Sequence, residues 1–135
     1  MIVADVNVLA YLLIKGEKTP QARAVWQIDA AWVLPDLWRD EFLNILTTYV
    51  RQGGTDLESA KALWTTAIDL FADKEWSADP LMVLELAQRF RLSAYDAQYL
   101  AVAIALDAKL LTEDRALRQA APQHSLTMQA FLDSR

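Results

Sequence analysis

The feature that most constrains this chain is a recurring succession: a short apolar stretch, then an acid, then a helical pattern. "MIVAD" leads into a helix whose apolar positions include Val8, Leu9, Leu12 and Leu13, and "KLLT" leads to Asp114 and a short helix through Ala120. "AWVLP" is another apolar stretch, followed by a long amphipathic helix with Trp38, Phe42, Ile45, Leu46 and Tyr49 on one face. Strands separated by helices need crossover connections, so they pair in parallel between helical layers. The expected fold class is α/β, with a short central parallel β-sheet flanked by several α-helices.

Breaker residues mark the joints. Gly16 to Pro20, Gly53-Gly54, Ala78 to Pro80 and Pro122 to Ser125 read as short loops, none long enough for a domain linker. Residues 1–135 are therefore expected to form a single domain. A second helix is expected from about Pro20 to Asp29. Asp36 stands where an N-cap belongs for the long helix, Gly53-Gly54 ends it, and Thr55 or Asp56 can cap the next, which runs to about Phe71. "KEW" is a candidate brief strand. Asp79-Pro80 opens a further helix, and Ser93 opens one through about Leu106.

Composition bounds the chemistry. Hydrophobic residues make up 54% and charged residues 23%, enough apolar surface to offset the entropy of ordering the chain. Without cysteine there is no disulfide framework, thiolate nucleophile or zinc–thiolate site. No basic n-region precedes "IVA", so no secretory signal is read and a reducing cytoplasm is the expected compartment. The weakly polar run Tyr99–Leu106 is too short to span a membrane, and no membrane partner is expected. A net charge of −5 disfavours binding nucleic acid by phosphate neutralisation alone. It leaves a nuclease open, because carboxylates loaded with divalent cations present a much less negative face.

Four acids stand apart. Asp5 and Asp114 each follow an apolar strand and open a helix, and in open parallel sheets ligand sites gather at the carboxyl ends of strands. Each can equally be a helix N-cap, and Asn7 a cap or turn residue. Asp96 occupies the N3 position after Ser93, as in a capping box, where the helix dipole also favours an ionised carboxylate. Glu41 is expected well inside its helix, on a stripe with Asn44 and Thr48; if it faces inward it needs cations or donors. Together the four would repel one another without a metal, and hard divalent cations seek oxygen ligands of this kind. Asn7 and Thr112 can orient the acids or a bound water.

These residues resemble a PIN-domain ribonuclease, specifically the VapC-type toxins of toxin–antitoxin pairs, over nearly the whole chain. "VADVNVLAYLL" is similar to the family's opening Asp-x-Asn motif, "LPDLWRDEFLNIL" to its acidic helix, "LSAYDAQYLAVA" to the segment with its third acid, and "KLLTEDRALRQAA" to its closing Thr-x-Asp motif. Val6 departs from the usual Thr or Ser, and Glu113 replaces a frequent Asn or Arg and can add a carboxylate. The resemblance implies a PIN-like fold and RNA cleavage using Mg2+ or Mn2+. It places Asp5, Glu41, Asp96 and Asp114 as catalytic metal ligands, with Asn7 and Thr112 behind them. It also implies a homodimer and a cognate VapB-type antitoxin whose C-terminal segment lies across the active-site groove, with an Arg able to replace the metal's charge.

Arg115, Arg118, Lys15 and Arg39 are candidate contacts to RNA phosphate, with helix-surface pairing as the alternative for each. Trp26, Trp38 and Trp64 are candidates for the groove or the dimer seam, although the core is the default home for tryptophan. His124, the only histidine, falls in a polar turn-like segment and is not expected to be a base or ligand. A haloacid-dehalogenase-like phosphatase would need Asp where Asn7 stands. A receiver domain would place its phosphoacceptor after a middle strand. The reading that competes best is a catalytically silent PIN-like binding module.

Overall fold

The computed structural model describes residues 1–135. Ile2–Ala4 forms β1, Trp32–Val33 β2, Lys109–Leu111 β3 and Ser125–Leu126 β4. All neighbours are parallel, in the order β2-β1-β3-β4. β1 is central: Val3 lies opposite Val33 on one side and Leu110 on the other. Its residues are buried without alternation, as a parallel strand covered on both faces requires.

Eight α-helices surround the sheet: α1 Val6–Leu13, α2 Thr19–Ile28, α3 Trp38–Arg51, α4 Leu57–Phe71, α5 Pro80–Phe90, α6 Ala94–Ala105, α7 Arg115–Ala120 and α8 Met128–Asp133. Asp56 caps α4 by accepting from the Ser59 amide, and Asp79 caps α5 by accepting from Leu81, the latter beside Pro80 in the first turn. The chain leaves α3 through Gln52 and then Gly53, which adopts φ 77. A Cβ on the next residue, Gly54, would lie 2.0 Å from the Tyr49 ring, so the turn tolerates no side chain there without displacing that ring. No helix is long and apolar enough to cross a membrane.

The structure corrects four local expectations. The segment expected as a loop at Pro122 to Ser125 leads into β4, where Leu110 donates to the His124 carbonyl and Thr112 to that of Leu126. Two residues carry too little pattern to signal a strand; the exposed edge of β3 makes one of them. Thr127 then caps α8, a helix not expected from the sequence, by accepting from the Ala130 amide. "KEW" forms no strand but a single parallel bridge between Glu75 and Leu34 beyond β2. Asp36 is not an N-cap: Trp38 and Arg39 donate to the Pro35 and Asp36 carbonyls, so the chain turns there and α3 starts at Trp38.

The aromatic residues organise the core on the β2 side. The Phe71 ring lies 5.6 Å from Trp26, 6.2 Å from Trp32 and 6.2 Å from Trp38. Trp38 continues the cluster to Phe42 and Trp64. Burial also satisfies polar edges, since Trp32 donates to the Asp29 carbonyl and Trp38 to the Glu75 carboxylate. Trp38 is therefore a core residue, and Trp26 packs edge-on against the same core. Trp64 is half-buried and lines an apolar groove between α3 and α4.

Candidate functional site

Each of the four acids sits at the start of a helix. Asp5 caps α1, Asp114 caps α7, Asp96 is in the first turn of α6, and Glu41 is in the first turn of α3. The last placement differs from the expected helix interior: α3 begins at Trp38, one residue later than an Asp36 cap would have placed it, which leaves Glu41 in the first turn. Four helix N-termini thus lend partial positive charge to four carboxylates, which offsets part of their mutual repulsion.

Asp5 leaves the carboxyl end of β1, where its amide donates to Leu111 and its carbonyl starts α1 by accepting from Val8 and Leu9. Its side chain is only 8% exposed. Thr112, fully buried at the end of β3, donates its hydroxyl to Asp5 Oδ2 at 2.7 Å, and the Asn7 amide approaches Oδ1 at 3.4 Å. The Thr112 hydroxyl also accepts from the Asp114 amide at 3.0 Å. One threonine therefore locks the two strand-end acids to each other. The Asn7 side chain is exposed on the site's border.

Glu41 is held from the opposite side. Tyr99, 2% exposed on α6, donates its hydroxyl to Glu41 Oε1 at 2.6 Å. Nothing in the sequence reading singled out this tyrosine. Its signal was a lone polar atom in the apolar run Tyr99–Leu106, three residues after Asp96 and so on the same helical face. Ser93 accepts from the Asp96 amide at 3.1 Å, but no return bond from the Asp96 carboxylate completes a capping box. That carboxylate is half-buried and free of protein donors.

Burial raises the Asp5 carboxyl above its ordinary range, opposed by the Thr112 and Asn7 hydrogen bonds and assisted by the charges of Asp96 and Asp114. Burial likewise raises Glu41, opposed by Tyr99 and assisted by Asp5 and Asp96. Asp96 is raised by burial and by Asp114. Tyr99 is pushed far upward by burial and the adjoining Glu41 charge, so it is a neutral donor throughout. The four acids therefore feel one another, yet no Lys, Arg or His pairs with any of them. As they stand, no three close to the distances that would hold one ion. The donor set is nevertheless all oxygen, anionic and without counter-charge, which fits a hard divalent cation.

The other candidates separate. Arg39 is committed to Glu75, away from the acids. Glu113 adds no carboxylate to the site: it accepts from the Met128 amide at 3.0 Å and pairs with Lys18, fastening α8. Lys15 is exposed and lines a groove of about 410 Å³ that starts at Asn7 and runs between α1 and α3 past Asn44 and Thr48. Arg115 is exposed, whereas Arg118 is half-buried with its Nε unpartnered. His124 sits at the opposite end of β3, beside Lys109.

Known proteins share this fold. The crystal structure of PAE2754 from Pyrobaculum aerophilum superposes with a TM-score of 0.76 at 24% identity, covering 99% of this chain and 97% of that one. The crystal structure of FitAcB from Neisseria gonorrhoeae gives a TM-score of 0.72 at 16% identity, covering 96% of this chain and 99% of the other. These likenesses establish the fold. A comparison with curated proteins gave no match. The PIN domain family model matches residues 2–122, and with nearly the whole chain accounted for, this protein belongs to the PIN domain family.

Proposed function

We propose that this chain is a VapC-type endoribonuclease toxin of a type II toxin–antitoxin pair, acting in the cytoplasm as a single domain over residues 1–135. PIN domains are generally metal-dependent nucleases. The observation that carries the reading is the gathering of Asp5, Glu41, Asp96 and Asp114 at one sheet rim, the first three buried or half-buried, with no protein cation paired to any of them. In this reading the four acids hold Mg2+ or Mn2+, which supplies a water of lowered pKa and stabilises charge on the phosphodiester oxygens.

The chain's own residues do the rest. Thr112 and Tyr99 orient Asp5 and Glu41 by one oxygen each and so limit how these two acids can move as the set closes on an ion. Asn7 borders the acids and opens the groove along which a single-stranded RNA is led, with Lys15 its cation. Arg115 and Arg118 are the phosphate contacts proposed beyond Asp114; Arg39 is withdrawn from that role by Glu75. A homodimer and a VapB-type antitoxin that covers the acids with an Arg complete the proposal.

The test is cleavage of labelled RNA with Mg2+ or Mn2+, with and without chelator, by the wild type and by Asp5→Ala and Asp96→Ala. Metal-dependent cleavage lost in both variants is the expected result. Cleavage unchanged in the variants would trace to a contaminant. A silent PIN-like binding module is favoured by one observation, that no three acids already stand at ligating distance. Metal binding without cleavage of any RNA tried would support it.

A further inference from the structure

Hydrogen bonding divides the two oxygens of the site's carboxylates unequally. On Glu41, Oε1 accepts from Tyr99 at 2.6 Å while Oε2 has no protein donor. On Asp114, Oδ1 accepts from the Leu117 amide at 2.8 Å while Oδ2 has none. On Asp5, Oδ2 is held by Thr112 at 2.7 Å while Oδ1 has only the 3.4 Å approach of Asn7. Glu41 and Asp114 thus each keep one oxygen committed to the protein and one open, while Asp5 is bonded closely on Oδ2 and only at long range on Oδ1. The two hydroxyl donors are buried, so water does not compete for them: Tyr99 is 2% exposed and Thr112 is 0% exposed.

This matters to the choice of ion. A carboxylate with both oxygens open can chelate a large cation, and Ca2+ gathers six to eight oxygens, commonly through such bidentate pairs. A small cation such as Mg2+ takes one oxygen from each carboxylate and completes an octahedron with water. We propose that Tyr99, seconded by Thr112, is a positioning residue that sets cation choice: its hydroxyl makes Glu41 a one-oxygen ligand and so biases the site toward Mg2+ and Mn2+ over Ca2+. The inference rests on the metal-nuclease reading of the same four acids. It concerns residues that orient the ligands and do not touch the ion.

The experiment is calorimetric titration of the full-length, metal-free protein with MgCl2, MnCl2 and CaCl2 separately. The wild type, Tyr99→Phe, Thr112→Val and Thr112→Ser are compared, with melting in chelator alongside. In Tyr99→Phe, Mg2+ affinity is expected to fall about 10- to 100-fold, the usual effect of losing an outer-shell partner. Ca2+ affinity should fall much less or rise, so the Mg2+/Ca2+ preference narrows by about tenfold or more. Thr112→Val should narrow it too, and Thr112→Ser, which keeps the hydroxyl, should restore it.

Equal losses for both ions, with the preference unchanged, would make Tyr99 merely structural and overturn the inference while leaving the nuclease reading intact. A wild type that binds none of the three ions would overturn both. If Tyr99→Phe fails to fold, the Thr112 pair decides: a preference that is the same in Val and Ser variants sinks the proposal.

Discussion

Thr112 Oγ1 stands 2.7 Å from Asp5 Oδ2, joining residues 107 positions apart at the rim of the sheet. The same oxygen accepts from the Asp114 amide, so the hydroxyl serves two acids at once. Thr112→Val keeps the shape but leaves a buried carboxylate oxygen and a backbone N–H unsatisfied. It should cost about 1–3 kcal/mol in a urea unfolding titration in chelator. Thr112→Ser should recover most of that loss.

Metal-free stability should fall as pH rises. Asp5, Glu41 and Asp96 all have carboxyl groups raised above their ordinary values of 3.8, 4.5 and 3.8, chiefly by burial. The folded state therefore binds protons more tightly than the unfolded one, and the associated stability is full below the ordinary values and lost upward through the raised ones. Melting temperature in chelator is expected to decline from about pH 4 toward neutrality. Saturating Mg2+ should flatten that decline, because metal binding displaces the protons. A melting temperature that climbs over this range in chelator, with no such decline, would contradict the assigned electrostatics.

Asp96 gives a way to separate stability from catalysis. Its carboxylate is half-buried, accepts no protein hydrogen bond and lies within reach of the Asp114 charge. Asp96→Asn removes one charge from the cluster. Melting in chelator at neutral pH is expected to hold or rise, while RNA cleavage falls at least about 100-fold, since a direct ligand should matter no less than an outer-shell partner. A joint loss of stability and activity would place Asp96 in a structural role.

Glu113 should behave in the opposite way. It accepts from the Met128 amide at the start of α8 and pairs with Lys18, so its contribution is to the C-terminal helix. Glu113→Ala is expected to cost about 1 kcal/mol in chemical denaturation. Cleavage and Mg2+ affinity should stay within about twofold of wild type, well short of the 10- to 100-fold effect of residues that support a metal ligand. A large loss of metal affinity would return Glu113 to the site.

Phe71 touches Trp26, Trp32 and Trp38, and so ties α2, β2 and α3 through one ring. Truncation to Ala should cost about 3–5 kcal/mol by calorimetric melting. That is a large share of the about 5–15 kcal/mol that holds most domains folded.

The places of two of the acids were legible in the amino-acid order. Asp5 and Asp114 follow apolar strands, and a parallel sheet places such strand ends on one rim by topology alone. The long helices were legible for a similar reason: many residues repeat one pattern, as in α3 with Trp38, Phe42 and Leu46 buried. β4 was not, because its two residues owe their conformation to an open edge on β3. Asp36 showed the same limit: an acid before a helix is a cap only if the chain enters at the right angle, and Pro35 turns it elsewhere.

Sequence by itself thus determined the strand–helix alternation, the parallel sheet and the strand-end positions of Asp5 and Asp114, because these depend on local periodicity and chain connectivity. Only the tertiary structure decided which oxygens those acids leave open. Tyr99 reaches Glu41 across 58 residues, while Glu113, adjacent to Asp114, turns away to α8. Such choices depend on which buried donor lies within hydrogen-bonding distance, and that is a property of packing between distant segments.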